Sequence, residues 1–261
     1  MVLLAYAGAQ WLNGPISDRP ADGDTNRLGL ALHVDEAATA DGWLFGRIPG
    51  VVLQDRWFRP GQSHWYDAVL GVVYASHFFV IPVTAIVLWV RRSALFRPWL
   101  LSVMWMSLIG VAGYILYPMS PPWLAFQLGA GPSIARISGI GWDFLHARWF
   151  GDLLGLGQAA SNPVAAMPSL HAAAALLLAG FLWSATRWWV RSVLGLYVVS
   201  MALALVYTGE HYVIDVLAGW LTAAVALWIT TRPRSAARPI HAAPTFLGTR
   251  RSRAGAEAAR I

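Results

Sequence analysis

The 261-residue chain contains no cysteine and no lysine, and only 12% of its residues are charged. The lack of cysteine excludes disulfide bridges, thiolate nucleophiles and cysteine-based zinc sites. Because lysine is missing, all 19 basic residues are arginines, a bias that GC-rich coding explains as well as function does. The arginines lie between apolar runs and in a tail, where they indicate membrane topology. We therefore expect no nucleic-acid partner.

Apolar residues make up 57% of the chain, which has 15 tryptophans and a mean hydropathy of +0.52. This composition predicts an integral membrane protein. A bilayer core of roughly 30 Å needs about 20 apolar residues as helix. Five runs are long enough, at residues 68–90, 99–117, 169–186, 192–208 and 212–230. With a short apolar run at residues 2–12, they predict an all-α transmembrane helix bundle of six spans.

Arginine placement predicts the orientation of these spans. Clusters at residues 91–97, 187–191 and 232–238 all fall on one side, which we assign to the cytoplasm. We divide the chain into an N-terminal partial span with an outer-face segment (1–67), a transmembrane catalytic domain (68–230) and an arginine-rich, disordered cytoplasmic tail (231–261). We expect the tail to be attracted to anionic lipid.

Two histidines and an aspartate carry the predicted chemistry. His211 and Asp215, in "GEHYVIDVLAG", are four residues apart and share one face of a helix. An ionisable residue inside an apolar span is costly, so Asp215 suggests a functional site with His211 as its partner. Bonding to one ring nitrogen would leave the other as a nucleophile or base. A purely structural His–Asp pair is the alternative.

His171, in "NPVAAMPSLHAA", lies at the outer end of another span. It and His211 are therefore expected to meet at the same depth. Ser169 can cap this helix or bind an oxyanion beside its free N–H groups, and such a helix start suits phosphate. Taken alone, a histidine at a span boundary is more often an interfacial residue than a catalyst.

These motifs resemble the second and third signature motifs of the type 2 phosphatidic acid phosphatase superfamily. "YPMSPPW" at residues 117–123 and "SNPVAAMPSLH" at 161–171 are similar to the branch of inositol phosphorylceramide synthases. The resemblance covers residues 74–228. It implies a six-helix core and phosphoryl transfer without metal or other cofactor. In that scheme His211 forms a phosphohistidine, Asp215 orients it, and His171 protonates the leaving oxygen.

The chain also departs from the family pattern. Leu170 replaces the glycine of the second motif, and Leu205 replaces the arginine of the third. The lysine of the first motif is missing, and Tyr114 occupies its place. Other groups must therefore bind phosphate, and the sequence offers the candidates Arg136, His77, Tyr74, Tyr114 and Ser169. For Arg136 a solvated loop position is the alternative, and for His77 a structural core position.

The sequence thus predicts an integral-membrane lipid phosphatase or phosphotransferase in a bacterial plasma membrane, with its site facing away from the cytoplasm. Transfer of a phosphoinositol-like headgroup from a phospholipid or polyprenyl phosphate to a hydroxyl is favoured. A hydrolytic lipid phosphatase and a catalytically silent lipid-binding scaffold are the alternatives. Glu210 is expected to be an exposed turn residue, and no metal site is expected.

Overall fold

The computed structural model describes residues 2–18, 20–21 and 23–231, which belong to one compact unit. Its α-helices are α1 (Val2–Leu12), α2 (Gly14–Asp18), α3 (Glu36–Phe45), α4 (Pro49–Trp57), α5 (Trp65–Val90), α6 (Phe96–Leu116), α7 (Pro122–Gln127), α8 (Gly141–Phe144), α9 (Arg148–Ala159), α10 (Leu170–Leu182), α11 (Trp188–Tyr207) and α12 (Val213–Thr231). The described residues form no strands beyond isolated bridges. The predicted all-α class is confirmed.

Four helices are long and apolar enough to cross a membrane: α5, α6, α11 and α12. At 1.5 Å per residue they are about 29 to 39 Å long, enough for the hydrocarbon core. The apolar stretch Leu170–Ala185, formed by α10 and one 3₁₀ turn, is shorter. The helix α1 has only 11 residues, too few to span alone. The transmembrane bundle is thus confirmed, whereas the count of six spans stays a prediction.

Helix α10 lies in the centre of the bundle, against α5, α6, α11 and α12. Four consecutive alanines, residues 172–175, are buried there, and their small side chains allow neighbouring helices to approach closely. Gly219 of α12 faces the backbone of Ser169, and a side chain at this glycine would overlap the Ser169 carbonyl oxygen. This close approach sets the beginnings of α10 and α12 side by side.

The connecting segments at this end of the bundle are themselves structured. The amphipathic helix α9 has no buried residue, and its apolar side chains Trp149, Leu153 and Leu156 are exposed. The N-terminal segment packs on the core, where Asn13 Nδ2 donates to the Tyr114 carbonyl oxygen over 2.8 Å. The predicted tail, from residue 232 onward, lies outside the described residues.

Candidate active site

A cavity of about 490 Å³ opens where α10 and α12 begin. Both motif histidines, His171 and His211, line it. The polar wall includes Tyr74, Arg136, Gln158 and Glu210, and the apolar wall includes Phe78, Leu153 and Leu154. The cavity therefore combines titratable groups with an apolar surface, as expected of a site for an amphipathic ligand.

His211 and Asp215 lie together at the start of α12. The Nδ1 atom of His211 is 3.5 Å from Asp215 Oδ2, an ion-pair contact longer than a good hydrogen bond. The same carboxylate oxygen accepts from the backbone N–H of Tyr212 at 2.9 Å, which fixes it at the helix start. Asp215 is fully buried, so its charge acts on His211 through little intervening water. Since Nδ1 faces the carboxylate, Nε2 is the nitrogen available for chemistry.

A second carboxylate, which the sequence analysis missed, holds the same helix start. Asp41 of α3 is fully buried and accepts from the backbone N–H groups of Val213 (2.9 Å) and Ile214 (3.0 Å). These are orphan donors in the first turn of α12. Burial raises the pKa of Asp41, and the two N–H groups oppose that rise. Asp41 therefore anchors the helix that carries Asp215 and directly follows His211.

His171 stands within a stack of rings. Its ring centroid is 3.9 Å from that of His77 and 4.9 Å from that of Tyr74, to which it is nearly parallel. The ring of His211 is 6.2 Å away. The Nε2 atom of His171 and the Nδ1 atom of His77 are buried and have no hydrogen-bond partner among the described residues. Packing thus fixes both rings, and these buried nitrogens have unused hydrogen-bonding capacity.

The other predicted phosphate binders divide by location. Tyr114 lines the cavity, together with His77 and Tyr74. Ser169 does not: it is fully buried as the N-cap of α10, its hydroxyl accepts from the Ala172 N–H at 3.4 Å, and its own N–H donates to the Asp215 carbonyl oxygen. Ser169 therefore ties α10 to α12 directly beneath the histidines.

Arg136 belongs to a partly buried polar group that we call the Glu210 cluster, formed by Arg136, Ser138, Gln158 and Glu210. The guanidinium donates twice to the carboxylate, from Nε to Oε1 and from Nη2 to Oε2, each at 2.9 Å. The guanidinium also lies over the ring of Trp123, with its carbon 4.6 Å from the ring centroid. Arg136 is thus a fixed cavity residue, not a solvated loop arginine.

The expectation of an exposed Glu210 is wrong, since the residue is only 7% exposed. Ser138 Oγ (2.6 Å) and Gln158 Nε2 (3.0 Å) also donate to its Oε1 atom. The neighbouring Gly209 has a φ of 74°, so the turn before Glu210 adopts a left-handed conformation that turns the chain sharply. From the sequence, a charged residue in the short turn between two helices is expected to be exposed. In the structure, the outer loop of residues 118–168 folds over Glu210 and buries it.

Arg148, the other arginine of that outer loop, lies outside the cavity. It is exposed and pairs with Asp143 at 2.8 Å, a hydrogen bond that lowers the pKa of Asp143. Among the described residues, no group of three or more His, Asp or Glu side chains is placed to hold a metal ion. Arg136 is therefore the arginine that the fold brings to the histidines.

Comparison with known proteins identifies the family of the chain. The chain is 27% identical over 195 residues to the phosphoinositol dihydroceramide synthase of Bacteroides thetaiotaomicron, a match that covers 71% of this chain and 63% of the relative. The chain thus spans less than two thirds of that relative's length. No solved structure gives a significant match. The family model of the PAP2 superfamily matches residues 40–229, a range that begins just before Asp41 and includes both histidine motifs. The chain belongs to the PAP2 superfamily.

Proposed function

We propose that this protein is an integral-membrane phosphotransferase that moves a phospho-headgroup, with phosphoinositol favoured, from a lipid donor to a hydroxyl acceptor through a phosphohistidine. The observation that carries the proposal is that His171 and His211 line one cavity, with the buried Asp215 beside Nδ1 of His211. The PAP2 family supports lipid phosphate chemistry, and the similarity to a phosphoinositol dihydroceramide synthase supports the transferred group.

In the first step, Nε2 of His211 attacks phosphorus and the bond from phosphorus to the lipid oxygen breaks. His171 donates a proton to that oxygen, so the lipid alcohol departs neutral. Asp215, beside Nδ1, stabilises the positive charge that develops on the His211 ring. The headgroup is left on His211 as a phosphodiester-like N–P species.

In the second step, the hydroxyl of the acceptor attacks phosphorus and the N–P bond breaks. The proton of that hydroxyl passes to His171, which restores the starting protonation state. Water in place of the acceptor would release a free phosphorylated headgroup, the hydrolytic outcome. We place the site on the face of a bacterial plasma membrane that is turned away from the cytoplasm, because the arginine clusters lie at the opposite ends of the spans.

The test compares His211→Asn with His146→Asn in purified protein, with a lipid donor labelled in its headgroup. His146 is exposed, does not line the cavity, and has a φ of 53°, a conformation that asparagine adopts readily. We expect His211→Asn to lose the transfer product and the acid-labile labelled enzyme, and His146→Asn to keep both. Labelling that survives in His211→Asn would refute the nucleophile assignment.

The products and the effect of chelator decide the remaining alternatives. A free headgroup phosphate with no lipid product would make the protein a hydrolase. Lipid binding without turnover in the wild type would make it a scaffold. We expect full activity in EDTA, since the scheme gives the two motif histidines to covalent and acid–base work. Loss of activity with rescue by zinc or magnesium would instead make them metal ligands.

A further inference from the structure

The residues of the Glu210 cluster do not suit the binding of phosphate. The cluster's one cation, Arg136, is already bound at two points by a carboxylate. A phosphate approaching this guanidinium would meet the negative charge of Glu210 at hydrogen-bond distance from the same nitrogens. The pair is therefore suited to a ligand portion that is polar and uncharged.

The cluster retains hydrogen-bonding capacity of both kinds. Glu210 Oε1 accepts from three groups, whereas Oε2 accepts only from Arg136 Nη2 among the described residues. The hydrogen bonds from Arg136 to Glu210 use Nε and Nη2, which leaves Nη1 as a donor. Gln158 donates through Nε2 to three oxygens, and its carbonyl oxygen remains an acceptor. Adjacent hydroxyl groups, each both donor and acceptor, match this array.

The position of the cluster decides which part of a substrate reaches it. Glu210 directly precedes His211 in the chain, and Arg136, Gln158 and Glu210 line the same cavity as that histidine. A group in contact with the cluster therefore lies close to a phosphorus held at His211, where the headgroup of a lipid donor would lie. The apolar side chains Phe78, Leu153 and Leu154 line another part of the wall and suit hydrocarbon.

We propose that the Glu210 cluster is a headgroup subsite that selects a polyhydroxylated ring over a simple alcohol. This inference rests on the proposed function and assigns its donor specificity to residues other than the motif histidines. Arg136 is held between Glu210 and Trp123, so the subsite is fixed before the ligand arrives. A site of partly buried polar groups discriminates against a bound ligand without hydroxyls, because the ligand would displace water from those groups without giving them partners.

The experiment measures binding, so that it does not depend on turnover. Dioctanoyl phosphatidylinositol and dioctanoyl phosphatidylethanol have the same chains and the same phosphodiester charge, and differ in the hydroxyls of the headgroup. Their dissociation constants are measured by calorimetry on detergent-purified His211→Asn protein. We expect the inositol lipid to bind at least tenfold more tightly. Equal affinities would overturn the inference.

Two further variants, built on the same background, assign the preference to the cluster. Gln158→Leu and Glu210→Gln should each reduce the preference to less than threefold, mainly by weakening the inositol lipid. Arg148→Gln, outside the cavity, should keep it. Thermal melts identify variants that have not folded. If Glu210→Gln does not fold, the result for Gln158→Leu decides, because Gln158 lies on the peripheral α9. A tenfold preference that survives in folded Gln158→Leu would contradict the assignment.

The outcomes separate this inference from the proposed function. A headgroup preference without any His211-dependent product in the wild type would leave the subsite standing and refute the transferase. Product formed equally well from both lipids, with equal binding, would support the enzyme and refute the subsite.

Discussion

Replacement of Asp41 tests whether a residue outside both histidine motifs holds the catalytic helix in place. The alanine variant leaves the N–H groups of Val213 and Ile214 without their acceptor, and the asparagine variant can still accept from one of them. Each buried donor left unpaired costs about 1–3 kcal/mol. For a protein of this size, 1 kcal/mol shifts the melting temperature by about 2–4 °C. We expect a fall of about 2–12 °C for Asp41→Asn and a larger one for Asp41→Ala.

Activity should fall along with stability, since the first turn of α12 carries Asp215 and follows His211. The loss is expected in kcat more than in KM, because Asp41 does not line the cavity. The matched controls are Asp55→Asn and Asp55→Ala. Asp55 is exposed and forms only a 3.9 Å contact with Arg47, so its replacement should change stability by less than about 0.5 kcal/mol. Asp41 variants that melt and turn over like the Asp55 variants would refute the anchoring role.

Because the pKa of Asp41 is raised, the difference in stability between the wild type and Asp41→Asn should depend on pH. A carboxyl with a folded-state pKa above its unfolded value contributes most stability when protonated in both states. The advantage of the wild type over Asp41→Asn should therefore be largest at low pH. It should shrink as pH rises from about 3.9 through the raised pKa. Denaturation in detergent across that range measures it, and an advantage that grows with pH would contradict the burial argument.

Three further predictions concern other parts of the site. The rate of His171→Ala should fall about 10²- to 10⁴-fold with donors whose leaving group is an alkoxide, and less with p-nitrophenyl phosphate, whose leaving group needs little protonation. Equal losses of rate with both donors would exclude a general acid. Gly219→Ala should destabilise the fold, because a methyl group there overlaps the Ser169 carbonyl oxygen. The control Gly195→Ala on α11 has free space and should leave stability unchanged or raise it by up to about 1 kcal/mol, so equal melting temperatures would contradict the close approach. In this cysteine-free chain, single cysteines at the exposed positions Ala160 and Ala94 should react with an impermeant maleimide from opposite sides of the membrane, and labelling from one side would reverse the assigned topology.

The long helices could be predicted from hydropathy, and the observed ends lie within four residues of the predicted ones. Burial in lipid requires long apolar runs, which a single sequence displays directly. The meeting of His171 and His211 could also be anticipated, since both begin helices at the same end of the bundle. What hydropathy could not give is the lateral arrangement of the helices, which depends on contacts such as that of Gly219 with Ser169.

The polar residues of the connecting segments were less predictable. Asp41 acts on a helix 172 residues later, and no local pattern links the two. Glu210 was misjudged because its burial depends on Arg136 and Ser138 from another segment. Such groups are stabilised by partners that are distant in sequence, so propensity and spacing carry no signal for them. The acidic residue next to a motif histidine was the only clue that the sequence offered.

The hydrogen bonds from α12 to Asp41 also bear on when the enzyme becomes active during its synthesis. The acceptor on α3 is made early, and its donors emerge 172 residues later. At translation rates of about 5–20 residues per second, Asp41 waits about 9–34 s for them. Until then its carboxylate has no helix to hold. In the proposed mechanism, a ribosome-bound chain that stops short of α12 contains the first histidine motif but lacks Asp215, so we expect activity only after the last described helix has been made.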